Sequence, residues 1–385
     1  RIHITIMNPD SPISVEEAIR RVLIQTQLDV GSERCETLPL TAQLVGKTIA
    51  DDVISKDPFP SFSASIMDGY AVVGPIEPGS YPIKEIIHAG SSPANVLTAG
   101  NVAYITTGAM LPDGANAVVK VEDTERSGDL VTIKVPLVAG THVRQIGSDI
   151  AKGEVLLSKG QVIGPPELGL LATAGFSQVR CFTSPVIGVM STGSELVDAC
   201  MTPLPGSSQI RDCNRVAMIA SCREDGYDVV DLGIVRDSKD DLREKLLEAA
   251  TLCDVVISSG GVSMGAADFV KPLLKELGEV HFAKLNMKPG KPTTFASYRH
   301  NGKKTFFFGL PGNPVSCLVT KALFVDPAVR RLQGQDSEAC LHPQVSVRLA
   351  GDRGITLDPE RPEYHRAILV PAAMATAAGG GGGGG

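Results

Sequence analysis

The clearest pattern along the chain is an alternation of apolar runs with amphipathic segments between residues 185 and 334. Four runs, PVIGVMST, YDVVDLGIV, CDVVISS and KTFFFGL, are apolar at nearly every position, which predicts strands buried on both faces. Between and after them, the helical spacing of apolar residues predicts helices over NRVAMIASCRED, KDDLREKLLEAATL, DFVKPLLKELG and VSCLVTKALFVDPAVRRLQG. This order predicts a central, doubly wound α/β domain with a mostly parallel sheet.

The sequence before residue 185 has a different pattern. SPISVEEAIRRVLIQTQ predicts a helix that Ser14 caps, with apolar residues at helical spacing behind it. Residues 46–146 consist of short β-rich runs separated by glycine and proline, which predicts a small antiparallel β module. PPELGLLATAGFSQVRCF then predicts a second helix, a turn and a strand. We therefore expect an elongated helical and β-rich N-terminal part in front of the α/β domain.

The sequence after residue 334 is short. QVSVRLAGDRGITLDPERPEYHRAILV predicts two strands with a charged loop, which we interpret as a partial C-terminal β domain over 335–370. The stretch PAAMATAAGGGGGGG at 371–385 cannot bury a core, so we expect it to be disordered, a linker or an artefact. The expected fold class is therefore multidomain α/β with β-rich modules.

Composition narrows the classes of function. The net charge of −7 argues against general nucleic-acid binding, which requires a basic face. No apolar run approaches the roughly 18 residues of a membrane span, and RIHITIMNPD lacks the hydrophobic run of a secretory signal. Eight cysteines are scattered without a C-x-x-C pair, which favours reduced thiols over disulfides or a zinc site. We expect a cytoplasmic protein.

The segment LNMKPGKPTTF at 285–295 places two lysines close together. Proline and glycine between Lys288 and Lys291 favour a type II turn, whose end Cα atoms lie within about 7 Å of each other. The two ammonium groups repel each other in a cleft of low polarity, and an anion between them would turn that repulsion into attraction. A solvated surface turn is the alternative interpretation.

Polar loops follow the predicted strands of the α/β domain, at the edge where open parallel sheets bind ligands. The loops are STGSE, RDS, SSGGVSMGAAD and LPGNPVS. Their glycines let the backbone approach phosphate, although neither a Walker A loop nor a G-x-G-x-x-G motif is present. The candidate phosphate-binding residues are Thr192, Gly193, Ser259, Gly260, Gly261, Ser263, Gly265, Pro311, Gly312 and Asn313. For each loop considered alone, an ordinary strand–helix turn that binds no ligand is the alternative interpretation.

Carboxylates lie at the same edge. Asp237 follows one strand and Asp268 begins the helix after the glycine-rich loop, an arrangement suited either to Mg²⁺ ligation or to helix capping. Arg361 in RPEYHR is suited to bidentate contacts with an oxyanion, with a solvated strand end as the alternative. Asp68 in MDGY is a candidate polar residue of the β module, where an Asx turn beside Gly69 is the alternative.

Eight motifs, in chain order, resemble one protein family. They are PSFSASIMDGYAV, AYITTGAMLPDGANAVVKVEDT, GPPELGLLATAG, STGSELV, IRDCNR, SSGGVSMGAADFVKPLL, MKPGKPTTFA and GLPGNPVSCLV. From them the chain is identified as a member of the molybdopterin molybdotransferases, which include bacterial MoeA and the E domains of gephyrin and of the plant enzyme. We expect the plant domain to be the nearest of these. The resemblance implies the last step of molybdenum-cofactor biosynthesis, in which molybdate enters adenylylated molybdopterin and AMP is released with the help of Mg²⁺.

The resemblance also implies roles for single residues. The implied molybdate site consists of Lys288, Lys291, Pro292, Ser316 and Arg361. Asp237 and Asp268 resemble the catalytic carboxylates of the family on the Mg²⁺ and phosphate side. Asp68 resembles its essential M-D-G-Y aspartate, which is contributed across a dimer interface to position water or metal. The phosphate-binding candidates are then expected to hold the pterin and the AMP phosphate.

The family fold implies a segmentation and a set of partners. A discontinuous first domain, 1–45 with 147–184, carries 46–146 as an inserted subdomain. The α/β molybdopterin-binding domain at 185–334 and the partial C-terminal β domain follow. The protein is expected to form a homodimer, to bind small-molecule substrates, and to work with a molybdopterin adenylyltransferase that is separate or fused.

Two departures from the family pattern leave other functions open. Cys213 stands where the family motif I-R-D-S-N has a hydroxyl, and a thiol is a weaker hydrogen-bond partner. The alanine- and glycine-rich stretch stands where the family continues with a serine-rich segment. The replaced serine-rich segment is the argument for a catalytically impaired pterin-binding relative, and the resemblance to gephyrin makes a gephyrin-like scaffold the other alternative to the transferase.

Overall fold

The computed structural model describes residue 9 and residues 11–27, 34–202, 208–261, 269–348 and 355–371. Three of the predicted site residues, Ser263, Gly265 and Asp268, lie outside the described residues, as do residues 372–385 of the predicted tail. Within the described ranges, no helix combines the length and the apolar character needed to cross a membrane.

Strands dominate the described ranges before residue 184, and strands alternate with helices after it. The helices are α1 (Val15–Gln27), α2 (Pro165–Thr173), α3 (Cys213–Glu224), α4 (Lys239–Leu252), α5 (Val270–Leu277), α6 (Pro314–Thr320) and α7 (Asp326–Leu332). The strands are β1 (Cys35–Pro39), β2 (Val53–Ile54), β3 (Ala64–Ser65), β4 (Gly69–Val72), β5 (Gly79–Ile87), β6 (Val102–Ile105), β7 (Ala117–Lys120), β8 (Thr124–Ser127), β9 (Leu130–Ile133), β10 (Val143–Arg144), β11 (Val155–Leu157), β12 (Gln178–Phe182), β13 (Val186–Thr192), β14 (Leu196–Val197), β15 (Ile210–Arg211), β16 (Asp228–Val235), β17 (Val255–Ser259), β18 (Gly278–Phe282), β19 (Thr294–His300) and β20 (Lys303–Leu310).

The α/β sheet has the strand order β16-β13-β17-β20-β19-β18, and its first four strands are parallel. The mostly parallel sheet and its helices are therefore confirmed. Strands β19 and β18 extend the sheet in antiparallel fashion. The apolar pattern does not predict these two strands, because GEVHF is short and TFASYRH mixes polar with apolar residues. Helices α1, α3, α6 and α7 cover one face of the sheet, and α4 and α5 cover the other.

Helix α1 begins as its sequence predicts. The Ser14 hydroxyl accepts a hydrogen bond from the Glu17 N–H at 3.2 Å, which caps the first turn. Three apolar residues of its inner face, Val15, Ala18 and Val22, are buried in the core of the α/β sheet. The helix thus packs on the domain that holds the candidate site, and the proposed domain boundaries stay a prediction.

Residues 34–184 form two further packing units. The first joins the short pairs β1·β12 and β2·β11 under α2, with Leu44, Ile49 and Leu171 in its core. The second is a six-stranded sheet with the order β7-β4-β6-β5-β9-β8. Its β5 and β6 are parallel, so the prediction of a wholly antiparallel module is wrong. The connection at 88–101 is long enough for the crossover that a parallel pair requires.

The two predicted C-terminal strands do not form among the described residues of 335–371. That part of the chain contains an isolated parallel bridge between Lys288 and Glu363 and no named strand. A two-stranded hairpin without a third strand or a covering helix is only marginally stable in water, which accounts for the irregular backbone.

A π-helical turn, Lys321–Val325, joins α6 to α7 where the sequence predicts one regular helix. Pro327 cannot donate an N–H to a preceding carbonyl, and a wider turn accommodates it. The Lys321 side chain is buried against Asp225 and lies 2.9 Å from Asp326. Burial lowers the pKa of Lys321, but the attraction of Asp326 and the hydrogen bond to Asp225 outweigh it, and the pKa is raised. A charged lysine is therefore part of the core beneath α6.

His281 makes the stability of this fold depend on pH. It is buried in β18, where its ring hydrogen-bonds to the Ser297 hydroxyl at 3.0 Å and packs on Phe295. Burial lowers its pKa from 6.5 to about 4, and the charges of Lys304 and Arg21 contribute. The unfolded chain therefore takes up a proton near pH 6.5, whereas the folded chain does so only near pH 4.

We predict that the free energy of unfolding falls by about 2–3 kcal/mol through His281 as the pH decreases from 7 to 4.5. The glutamine in His281→Gln takes up no proton, so this variant should lose correspondingly less stability. Urea unfolding followed by circular dichroism at the two pH values measures the difference. The exposed His88→Gln is the control and should behave as the unaltered protein does. Equal pH dependence in all three proteins would disprove the assignment.

Candidate functional site

The carboxyl ends of the parallel strands are joined by backbone hydrogen bonds. The Gly193 N–H donates to the Val235 carbonyl at 3.1 Å, which connects the ends of β13 and β16. The Gly260 N–H donates to the Leu310 carbonyl at 3.1 Å, which connects the ends of β17 and β20. The loops that the sequence assigns to phosphate binding therefore start side by side at one edge of the sheet.

Two glycines allow the loop after β17 to lie directly on the end of β13. Gly260 and Gly261 have φ values of +85° and +65°, in the left-handed region that favours glycine. A Cβ atom on Gly260 would lie 2.6 Å from the Thr192 carbonyl oxygen, and one on Gly261 would lie 2.5 Å from the Thr192 hydroxyl. Side chains are thus excluded at both positions, and the backbone itself forms the surface of the edge.

Asn214 connects two of these loops through its side chain. Its Nδ2 group donates to the Ser259 hydroxyl at 2.6 Å and to the Gly312 carbonyl at 2.8 Å. It lies in the first turn of α3, which Asp212 caps by accepting from the Arg215 N–H. Asn214 is not among the site residues predicted from the sequence. The available signal was an amide directly after a capping aspartate, in a helix that starts at the ligand edge.

Cys213 is the neighbour of Asn214 at the start of α3. Its side chain is exposed, and its sulfur lies 3.8 Å from the Asn214 Oδ1 atom. The thiol therefore contacts the oxygen of the bridging amide and not the two loops that the amide holds. The departure of Cys213 from the family motif leaves the bridge itself intact.

Asp237 is held by reciprocal hydrogen bonds with Ser194. Its carboxylate accepts from the Ser194 N–H at 3.0 Å, and its own N–H donates to the Ser194 hydroxyl at 3.2 Å. The cap of α4 is Ser238, so helix capping, the alternative for Asp237, is not its role. An open cleft of about 410 Å³ beside this pair is lined by residues that include Gly193, Ser194 and Arg236.

The fit of Asp237 to Mg²⁺ rests on its exposed carboxylate. In the described ranges no cluster of three or more His, Cys, Asp or Glu side chains is arranged to hold a metal ion. Mg²⁺ commonly keeps several water ligands and takes only one or two carboxylates together with substrate phosphates. One exposed carboxylate beside a phosphate-type loop agrees with such a site.

Residues 288–293, which we call the lysine turn, have the positive φ at Gly290 that the sequence predicts, but the turn lies over Lys291 and Pro292, two residues later than the predicted type II turn. Gly290 has φ +114°, and a Cβ atom there would lie 2.7 Å from the Thr320 methyl group. The Lys288–Pro289 peptide bond is cis, and the Thr293 hydroxyl donates to the Gly290 carbonyl at 2.6 Å. Both lysines are exposed, and the turn rests on the end of α6.

The two lysines of this turn have different partners. The Lys288 Nζ atom lies 2.7 Å from a Glu363 carboxylate oxygen and 3.9 Å from Asp358. Lys291 forms no ion pair with any residue that the structure describes. Its backbone carbonyl accepts from the Leu285 N–H at 2.9 Å, which fixes the end of the turn.

Arg361 is also paired with a carboxylate. Its guanidinium donates to Asp358 at 2.6 and 3.2 Å, and this hydrogen bond is the largest cause that lowers the pKa of Asp358. The hydrogen bond from Lys288, followed by that from His365, lowers the pKa of Glu363. Both acids are therefore charged at neutral pH.

The lysine turn and the start of α6 border the same cleft. Lys288, Pro289 and Val315 line an open cleft of about 650 Å³ together with residues of the 356–366 segment. Asn313 caps α6 by accepting from the Val315 N–H at 3.0 Å and from the Ser316 N–H at 3.4 Å. The structure thus brings the lysine turn next to the loop that ends at Asn313, with Ser316 buried behind it.

Asp68 lies in the β module, and its described contacts are there. Its carboxylate accepts from the Thr107 N–H at 2.7 Å, so it bridges two distant loops and does not form a local Asx turn. A Cβ atom on Gly69 would lie 1.8 Å from the Val119 carbonyl oxygen, which requires glycine at that position. Within the described part of one chain, Asp68 is not brought to Asp237 or to the lysine turn.

We predict that Asn214→Ala loosens the 259–261 and 311–313 loops, because it removes the two side-chain hydrogen bonds by which Asn214 connects them. Hydrogen–deuterium exchange should rise about tenfold in peptides that contain these loops, as expected when roughly 1.4 kcal/mol of local stability is lost. Asn116→Ala is the matched control, since Asn116 joins Gly74 to its own loop in the β module by two similar hydrogen bonds. Unchanged exchange at both site loops would show that Asn214 does not hold them.

Comparison with known proteins places this architecture in a family. Residues 13–175 match the MoeA N-terminal region (domain I and II), and residues 188–331 match the probable molybdopterin binding domain. The chain is 34% identical to a solved structure, the molybdopterin biosynthesis moea protein from Pyrococcus horikosii. The TM-score is 0.70, and the match covers 84% of this chain and 81% of that one.

Two curated relatives support the same family assignment. The chain is 40% identical to gephyrin from Dictyostelium discoideum over 92% of its own length, and it spans only 55% of that protein. It is 36% identical to the molybdopterin molybdenumtransferase of Haemophilus influenzae, with 79% of this chain and 76% of that protein covered. The chain belongs to the molybdopterin molybdenumtransferase family.

Proposed function

We propose that this protein is a molybdopterin molybdotransferase, which inserts molybdate into adenylylated molybdopterin and releases AMP in the last step of molybdenum-cofactor biosynthesis. The observation that carries this proposal is the position of the lysine turn. Lys288 lines a cleft together with Val315, and Val315 follows the loop that Asn214 holds against Ser259. A site for an oxyanion thus lies beside loops suited to a phosphate-bearing substrate.

The lysine turn is suited to molybdate, the inorganic substrate. Molybdate is a dianion, and two ammonium groups on a fixed turn offer it opposite charge without a large rearrangement of the backbone. Lys291 is available because it has no ion-pair partner in the described chain. Pro292, Ser316 and Arg361 complete the proposed molybdate site.

The glycine-rich edge is suited to the pterin and the AMP phosphate. Backbone N–H groups at the start of a helix, and loops without side chains, approach phosphate oxygens closely. The residues proposed for this role are Thr192, Gly193, Ser259, Gly260, Gly261, Pro311, Gly312 and Asn313, with Ser263 and Gly265 from outside the described residues. Asn214 joins this set as the side chain that holds two of the loops together.

Asp237 and Asp268 are the proposed ligands of Mg²⁺. When bound, the ion neutralises charge on the phosphate oxygens of the adenylate. Ser194 orients the Asp237 carboxylate towards the edge through the reciprocal hydrogen bonds described above. Asp68 is proposed to act on the adenylate from the second subunit of a homodimer, because its contacts within one chain keep it in the β module.

A molybdopterin adenylyltransferase is the proposed supplier of the substrate. Nearly half of the Dictyostelium gephyrin lies beyond the part that matches this chain, which leaves room for such a domain in a fused relative. We further propose that the protein works in the cytoplasm, where its eight free cysteines would stay reduced.

We predict that Lys291→Ala lowers molybdate-dependent AMP release at least tenfold, because it removes the unpaired cation of the turn. The assay measures AMP chromatographically after adenylylated molybdopterin is mixed with the protein and Mg²⁺, with and without molybdate. Lys284→Ala, which removes the same charge outside the turn, is the control and should keep most of the activity.

Three outcomes separate the possibilities. Loss in Lys291→Ala alone supports the proposed molybdate site. Equal release from all proteins would mean that the turn does not hold molybdate. No release even from the unaltered protein, with the adenylate still bound, would indicate a pterin-binding relative without transferase activity.

A further inference from the structure

Two cations of the proposed molybdate site are already paired with carboxylates of one short segment. The Lys288 ammonium lies 2.7 Å from Glu363, and the Arg361 guanidinium donates to Asp358 at 2.6 Å. Both acids belong to the 358–365 segment, which we call the acidic latch. In each pair the carboxylate accepts from the N–H donors with which the cation would otherwise bind an oxyanion.

The latch is seated on the lysine turn by backbone bonds as well. The Lys288 N–H donates to the Pro362 carbonyl at 3.0 Å, and the Tyr364 N–H donates to the Lys288 carbonyl at 2.8 Å. The Glu363 carboxylate also accepts from the Asp358 N–H at 3.1 Å and from the His365 ring at 2.6 Å. With a side chain only 4% exposed, Glu363 is placed in a defined position and does not sample open solvent.

The charges of the site follow from these pairs. Lys288, Lys291 and Arg361 carry three positive charges, and Asp358 and Glu363 carry two negative ones, so these five groups together have a net charge of +1. An oxyanion that binds Lys288 must replace the interaction with Glu363. A dianion gains about twice the attraction of a monoanion from the three cations and about twice the repulsion from the two carboxylates, so the net charge of +1 favours the dianion.

We propose that Asp358 and Glu363 are specificity-determining residues, which pair with Arg361 and Lys288 in the absence of ligand and are displaced more readily by a dianion than by a monoanion. The inference rests on the proposed function, because it takes the lysine turn as the molybdate site. The inference adds that the two carboxylates compete with molybdate for the cations of the site. This competition sets the affinity for molybdate and the preference for dianions.

The test measures molybdate binding to the full chain by isothermal titration calorimetry at low ionic strength. Glu363→Gln should bind molybdate about tenfold more tightly, because a neutral amide competes weakly for Lys288 and repels the dianion less. Asp358→Asn should act in the same direction through Arg361. Glu360→Gln is the matched control. It removes an equal charge from an exposed residue of the latch that forms no described ion pair, and should change the affinity less than twofold.

A double substitution separates competition from simple repulsion. In a Lys288→Gln background, Glu363→Gln should gain no more than about threefold, because the cation for which the carboxylate competes is gone. A full tenfold gain in that background would overturn the latch, since the effect would then act through space. Weaker binding by Glu363→Gln alone would also overturn it, because the carboxylate would then be orienting Lys288 for the ligand.

The remaining outcomes distinguish the latch from the proposed function. If the unaltered protein binds molybdate and Glu363→Gln binds it equally well, the latch is wrong and the molybdate site stands. If no protein binds molybdate, the proposed molybdate site is wrong and the latch with it. If only the latch variants bind, the carboxylates control access and the latch is supported in its strongest form.

Discussion

The parallel pairing of β13, β17 and β20 is the constraint on which the candidate site depends. Ser191 pairs with Ser259, and Ser259 pairs with Leu310, so three strands end at one level of the sheet. Their loops therefore begin as neighbours, and a single amide, that of Asn214, can reach two of them. A shift in register would separate the loops and leave the buried edge without its backbone partners.

Two lysines near α6 show how exposure decides the role of an ion pair. The Lys321 side chain is 4% exposed and contacts two carboxylates, so removing one partner would leave a buried charge uncompensated. The Lys288 side chain is 52% exposed, so its ammonium stays partly solvated when it leaves Glu363, and the 4% exposed Glu363 keeps its hydrogen bonds from the Asp358 N–H and the His365 ring. The first lysine fixes the packing of α6 and α7, whereas the second is exposed enough to be reached by a ligand.

The sequence predicted much of the α/β domain because its strands are apolar on both faces. A strand such as CDVVISS is recognisable without its neighbours, whereas β18 and β19 became strands only because β20 offered an edge to pair with. The parallel pair β5·β6 and the unpaired C-terminal segment were missed for the same reason. Pairing depends on which segments meet in space, and local patterns do not contain that information.

The site was likewise predicted where the signal is local and missed where it depends on contacts between distant residues. Glycines at 260, 261 and 290 were identifiable from sequence, since each occurs in a loop where a close approach requires glycine, and the structure gives the contact at each. Asn214 bridges Ser259 and Gly312, which follow it by 45 and 98 positions in the sequence, so no local pattern predicts the bridge. Asp237 was correctly placed at the edge, but only its contacts with Ser194 separated it from a helix cap.

The sequence by itself determined which residues of this protein can do chemistry and which apolar and amphipathic segments of the α/β domain form its parallel strands and helices. Side-chain charge, the φ preference of glycine and the period of apolar residues are local properties, and they persist in any fold. Only the tertiary structure decided which charges are neutralised. It placed Glu363 on Lys288, 75 residues away, and left Lys291 without a partner in the described chain. Electrostatic pairing depends on distance in space, and the path of the chain sets that distance.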